Sequence, residues 1–223
     1  MAHAKFRLRI YHDHLTEGAT ETLPKARRII YCVAGQATLS ASGKSQTITD
    51  DQAFFSDGEC TVRGDGDGEG ARLWRWELVD MKAPPGEIRA KAVKSFDAGN
   101  YEIELDTSIK RLMRLDRVSF PLGGEALTHI HAAPGVRCLL KGNLLVESLG
   151  HRVRLWPGDS WVEQGPDQVY AKASEKEPSA FVRVMIVPEE YKGRSTITYV
   201  RAEDKDKPKS QSYTRYLEEP ITL

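Results

Sequence analysis

The chain has 223 residues, and its 32 lysines and arginines balance its 32 aspartates and glutamates. That balance, with a pI near 7.0, excludes the basic footprint of a nucleic-acid-binding protein and the polybasic patch of a membrane-surface protein. No apolar run is long enough for a membrane span, and the opening MAHAKFRLRIYHDHL lacks the apolar core of a signal peptide. Three cysteines, Cys32, Cys60 and Cys138, are far apart and odd in number. They form neither a zinc-type pair nor a disulfide framework, so they read as buried, inert thiols in a reducing cytoplasm.

From the N-terminus, short β-rich segments follow one another. RIIYCVAG, ATLSAS, QTITD and RLWRWELV occupy the first half; RCLLKG, NLLVES, HRVRLW, DSWVEQ, QVYAKA and AFVRVMIV occupy the second. Gly, Asp, Asn and Pro stand between them, which predicts a sandwich or barrel rather than alternating strands and helices. The one stretch read as helical is short, around Gly86 to Val93. Pro84-Pro85 marks a linker. The expected division is 1–84, then 85–200, then a charged tail over 201–223. The tail is either disordered or docks through Tyr213, Tyr216 and Leu217.

The two halves superpose on each other. Gly35 falls on Gly142 at an offset of 107, Asp51 on Asp159 at 108, and Arg72–Val79 on Ala180–Val187 at 108. Segments sharing nearly one offset indicate a duplicated all-β unit.

His129-Ile130-His131 is the strongest chemical signal. Strand residues two apart share a face, so both imidazoles can converge on one ion while Ile130 packs on the other side. Imidazole suits zinc, copper, iron and nickel. Glu125 and Glu163 are the nearby carboxylates able to add an anionic ligand, although each reads first as a surface charge. Trp161 and Glu163 share a face of their strand, as do Gly135, Arg137 and Leu139. A guanidinium pointing inward at Arg137 needs a partner: Glu163, Glu125 or a carboxylate-bearing ligand gripped by its fork. Tyr170 shares a face with Gln168 and is read as a proton donor or clamp.

Here the pattern resembles the cupin superfamily, whose first motif reads G-x5-H-x-H-x3-4-E-x6-G and whose second reads G-x5-P-x-G-x2-H-x3-N. Gly123, His129, His131 and Gly142 match the first. Pro157-Gly158-Asp159 and Gln164-Gly165-Pro166-Asp167-Gln168 loosely match the second. The resemblance covers most of both halves and implies two tandem cupin barrels of the jelly-roll type. Metal-binding members use both histidines, the glutamate and the later histidine. Here Gly135 stands at the glutamate position and Gln168 at the later histidine. In the first half Thr22, Pro24 and Arg28 fall on the His129, His131 and Gly135 positions, and Cys60 or Glu59 near Gln168. The resemblance therefore implies a metal-free, structural first barrel.

The combined expectation is a small-molecule metalloenzyme of the bicupin type, a metal-dependent dioxygenase, isomerase or hydrolase. One divalent metal (Fe, Zn, Ni, Mn or Cu) would be held by His129, His131 and Gln168. Tyr170 and Glu163 would be catalytic, and Arg137 and Trp161 would bind a carboxylate in the space left by Gly135. The alternative is a non-catalytic binding or sensor bicupin that has lost its metal; a storage-like bicupin ranks below both. The resemblance also implies a homodimer.

Overall fold

The computed structural model describes residues 2–65 and 68–223. It is almost entirely β and forms two compact units, 1–108 and 109–223. Unit 1 contains β1 (His3–Leu15), β2 (Thr20–Ala41), β3 (Lys44–Thr49), β4 (Ala53–Gly64), β5 (Ala71–Asp80) and β6 (Val93–Asp106). They form an antiparallel sheet in the order β3-β2-β5-β1-β6. The long strand β2 pairs with β4 over two separate stretches, which folds the sheet back on itself. Leu15, Ile30, Cys32, Leu39, Ile48 and Leu73 belong to its apolar core.

Unit 2 contains β7 (Arg111–Phe120), β8 (Glu125–His131), β9 (Gly135–Lys141), β10 (Leu144–Ser148), β11 (His151–Leu155), β12 (Ser160–Glu163), β13 (Val169–Ala173), β14 (Ser179–Pro188), β15 (Ile197–Tyr199) and β16 (Ser212–Ile221). They make two five-stranded antiparallel sheets, β11-β10-β13-β8-β15 and β12-β9-β14-β7-β16. Phe120, Leu139, Val146, Val169, Ala171 and Phe181 pack together in the interior. Each of the ten segments read as β falls on a strand, most of them overrunning its end by one residue.

The units divide at residue 108, not at 84–85. The segment after Pro84-Pro85 runs into β6, which pairs with β1 along nearly its whole length and so belongs to unit 1. Gly86–Ala92 is irregular rather than helical, and carbonyls from Ala83 to Gly86 satisfy buried guanidiniums: Arg9 donates to Ala83 and Pro84, and Arg75 to Gly86. The tail over 201–223 ends in β16, which hydrogen-bonds to β7 and forms the edge of its sheet.

The duplication is visible in detail. Gly35 and Gly142 both have positive φ, at 85° and 72°. At either, an added Cβ would fall within 2.5 Å or less of a backbone oxygen, so only glycine fits. In unit 1 Arg28 faces Glu77 across β2 and β5. The guanidinium is fully buried, 3.0 Å from the carboxylate. In unit 2 the matching pair is Gly135 and Met185.

A candidate site between His129, His131 and Glu163

β8 and β13 set the site. Val169 pairs with His129 and Ala171 with Ala126, so a three-residue step on β8 stands opposite a two-residue step on β13. This bulge lets Ala126, His129 and His131 all face the interior, where a regular strand would turn one of them out. His129 and His131 are 6% and 4% exposed. Their Nε2 atoms lie 3.2 Å apart, with the rings edge to face.

Hydrogen bonding fixes the first tautomer. His129 Nδ1 is 2.7 Å from the Leu127 carbonyl, which can only accept, so Nδ1 carries the proton and Nε2 presents a lone pair to His131. His131 Nδ1 is 3.2 Å from the Thr196 hydroxyl, and its Nε2 is 3.3 Å from Glu163 Oε2. Burial keeps both imidazoles neutral: it lowers the pKa of His129 and brings that of His131 down to about 3. Glu163 is held by Arg137 at 2.6 Å and by the Trp161 indole N–H at 2.9 Å. Burial pushes the pKa of Glu163 up, but the Arg137 charge and the His131 contact outweigh it and leave the group ionised well below the usual carboxylate range.

The cavity beside this cluster is lined by His129, His131, Trp161, Glu163, Arg183 and Tyr213, among apolar neighbours, and encloses about 20 Å³. That is room for a water or an ion, since one water needs roughly 10–15 Å³. Two nitrogens bonded to one ion at about 2.0–2.1 Å stand about 3 Å apart, so the imidazole pair suits a shared cation. The wider donor set is incomplete: among the described residues no three His, Cys, Asp or Glu side chains are placed to hold a metal together. Glu163 is committed to Arg137 and Trp161.

The structure unites four of the expected site residues, His129, His131, Glu163 and Trp161, and corrects three others. Gln168 is exposed and lines a surface groove with Tyr170, Glu147 and His151. Val169 and Ala171 face the core, so strand alternation turns Gln168 and Tyr170 outward. Neither reaches the cavity. Arg137 does point inward, but it is fully buried behind Glu163, with Nη1 donating to the Gly135 carbonyl at 2.6 Å. It is a structural partner of Glu163, not a cavity-lining group. The space beside Gly135 is closed as well: a Cβ there would lie 2.6 Å from the Val184 carbonyl oxygen and 2.7 Å from Met185 Cγ. Glu163 is 8% exposed and therefore not a surface charge, because Arg137 compensates its burial. Glu125, by contrast, faces the outer ladder, 3.4 Å from Lys172.

Three residues of the site escaped sequence reading. Arg183 lines the cavity, with its Nε and Nη2 donating to Asp116 at 3.3 and 3.2 Å. Tyr213 comes from the tail, exposed at the cavity rim with its ring 5.8 Å from the Arg183 guanidinium. Thr196 orients His131. Arg183 lay within AFVRVMIV, where alternation with Phe181 marks it as inward. The other two depend on the path of the C-terminal segment.

No protein-family model matches the chain, and no curated protein matches it by sequence. Solved structures do match. An oxalate decarboxylase–formate complex from Lactobacillus farciminis has a TM-score of 0.61 at 12% identity, over 90% of this chain and 82% of that one. A salicylate 1,2-dioxygenase variant from Pseudoaminobacter salicylatoxidans has a TM-score of 0.54 at 12% identity, over 86% and 73%. Procruciferin, an 11S globulin from Brassica napus, has a TM-score of 0.58 at 8% identity, over 86% and 78%. The chain is an all-β protein with the cupin fold, built from jelly-roll sheets. Enzymes and a globulin share that fold, so the site and not the fold must specify the activity.

Proposed function

We propose that the C-terminal barrel is the working half of a bicupin metalloenzyme acting on a small, carboxylate-bearing molecule. The observation that carries this reading is the facing pair of neutral imidazoles, His129 and His131, beside an ionised, buried Glu163. Metal-ligating histidines are held through their other nitrogen by a carbonyl, carboxylate or water, and the Leu127 carbonyl holds His129 in that manner. A bound divalent ion would supply Lewis-acid polarisation of a substrate oxygen. The chain's own groups do the rest. Thr196 and Leu127 orient the imidazoles. Arg137 keeps Glu163 ionised, so that its Oε2 can accept a proton beside His131. Trp161 fixes the other carboxylate oxygen, and the closed cavity excludes bulk water. Two of the similar structures are enzymes named for small carboxylates, oxalate and salicylate, which supports the substrate class.

The incomplete donor set favours a second reading, a non-catalytic barrel that binds a small molecule without metal. Turnover separates the two. The untagged chain, supplied with Mn²⁺, Fe²⁺, Co²⁺, Ni²⁺, Cu²⁺ or Zn²⁺, is incubated with a panel of small carboxylic acids while oxygen uptake and product masses are followed. Conversion that disappears in the His129→Ala/His131→Ala double variant supports the enzyme. No conversion with any ion, or equal conversion by the double variant, rejects it.

A further inference from the structure

The duplicated halves carry the same guanidinium in two different states of satisfaction. At the offset of 108, Leu73, Arg75 and Glu77 of β5 fall on Phe181, Arg183 and Met185 of β14. Leu73 and Phe181 both sit in their unit's apolar core, so the two arginines face inward alike, at 1% and 5% exposure. In each unit a carboxylate from the first strand takes the same edge of the fork. Asp13 of β1 accepts from Nε and Nη2 of Arg75; Asp116 of β7 accepts from Nε and Nη2 of Arg183.

The other edge differs. Arg75 Nη1 donates to a second carboxylate, Glu77, at 2.6 Å. In unit 2 the Glu77 position is Met185, and Arg183 Nη1 has no hydrogen-bond partner among the described residues. Its one carboxylate is also shared, because Asp116 accepts from Arg215 at 3.2 Å. Around this cluster four guanidiniums, of Arg114, Arg137, Arg183 and Arg215, pair with three carboxylates, of Asp116, Glu163 and Glu218. A buried guanidinium needs an anion, and Arg183 is the one of the four that lines the cavity with His129 and His131.

We propose that a small organic carboxylate binds Nη1 of Arg183, supplying in trans the carboxylate that Glu77 supplies to Arg75 in cis. This rests on reading the His129–His131 cavity as the functional site, and it moves the anion grip from Arg137 to Arg183. The cavity is too small to take a carboxylate as it stands. Tyr213, exposed at the rim, is the wall element whose displacement makes room.

The test is saturation-transfer NMR on the full, metal-free chain with acetate, and with acetamide as its uncharged counterpart. Acetate should bind the wild type and acetamide should not. Arg183→Lys keeps the charge but loses the fork and should weaken acetate by about tenfold or more. Met185→Glu restores the internal carboxylate and should block acetate to a similar extent. The chain is free of metal throughout, so loss of this anion site is read separately from loss of metal binding. Equal binding of acetate and acetamide by the wild type overturns the proposal. So does undiminished acetate binding by either Arg183→Lys or Met185→Glu.

Discussion

Replacing Glu163 with glutamine keeps the shape of the side chain and removes its charge. Arg137 is fully buried, and Glu163, 2.6 Å away, is its one ion-pair partner among the described residues; its Nη1 donates to the Gly135 carbonyl. Glu163→Gln therefore strands a guanidinium in the interior, which costs roughly 3–5 kcal/mol. At about 3–6 °C per kcal/mol for a unit of this size, its melting temperature should fall by roughly 10–30 °C. Replacing both partners by apolar residues, Glu163→Leu with Arg137→Met, removes the uncompensated charge and should recover most of that loss. Differential scanning calorimetry and urea titration of the wild type, the single variant and the double variant give the comparison. A Glu163→Gln cost below about 1 kcal/mol, the value of an exposed pair, would refute the assignment. So would a double variant as unstable as the single one.

Acid should destabilise the metal-free chain in a defined window. The His131 pKa is about 3 in the folded state against about 6.5 unfolded, so its contribution is complete above pH 6.5 and lost as the pH falls toward 3. The loss is on the order of 4–5 kcal/mol, with the lowered His129 adding in the same direction. Urea midpoints measured from pH 7 to 3.5 should fall steeply for the wild type and more gently for His131→Gln; parallel curves would count against a neutral, buried His131. Gly135→Ala should cost about 1–3 kcal/mol by overpacking against Val184 and Met185, and a neutral effect by thermal denaturation would reopen the idea of free space there. Tyr213→Ala should open the rim and speed acylation of His129 and His131 by diethyl pyrocarbonate, followed by peptide mass spectrometry. An unchanged rate would mean that Tyr213 does not guard the cavity.

Much of the fold could be read from alternation and turn residues. The ten apolar segments lie in strands because their branched and aromatic side chains suit a pleated, half-buried surface. Strands β1 and β7 were harder. HAKFRLRIYHDHL and RLMRLDRVSF alternate apolar residues with charges, a pattern that ordinarily turns the charges to solvent. In fact Arg9, Asp13, Arg114 and Asp116 are buried in ion pairs or against carbonyls, an outcome that depends on partners from distant strands. The domain boundary differs for a related reason: Pro84-Pro85 lies in the irregular segment after β5 (Ala71–Asp80), but β6 returns to pair with β1 before the unit closes.

The site was legible in its centre and not at its rim. His129, His131, Glu163 and Trp161 follow from period-two spacing on β8 and β12. Gln168 is placed by motif alignment and Tyr170 by sharing its face, but Val169, Ala171 and Ala173 form the apolar face of β13 and turn both residues out. Gly135 looked like a vacancy because its partner Met185 lies 50 residues away in sequence and directly opposite in register. Thr196 reaches His131, and Tyr213 the cavity, only because β15 pairs with β8 and β16 with β7.

Divalent metal content tests the central claim most directly. The untagged full chain and its His129→Ala/His131→Ala variant, each equilibrated with Co²⁺ and dialysed, are analysed by mass spectrometry of the metal and by visible absorption. One Co²⁺ per wild-type chain, with nitrogen-ligand bands absent from the variant, is the predicted result. Negligible metal in both, or equal metal in both, would contradict the claim that the facing imidazoles form a metal centre.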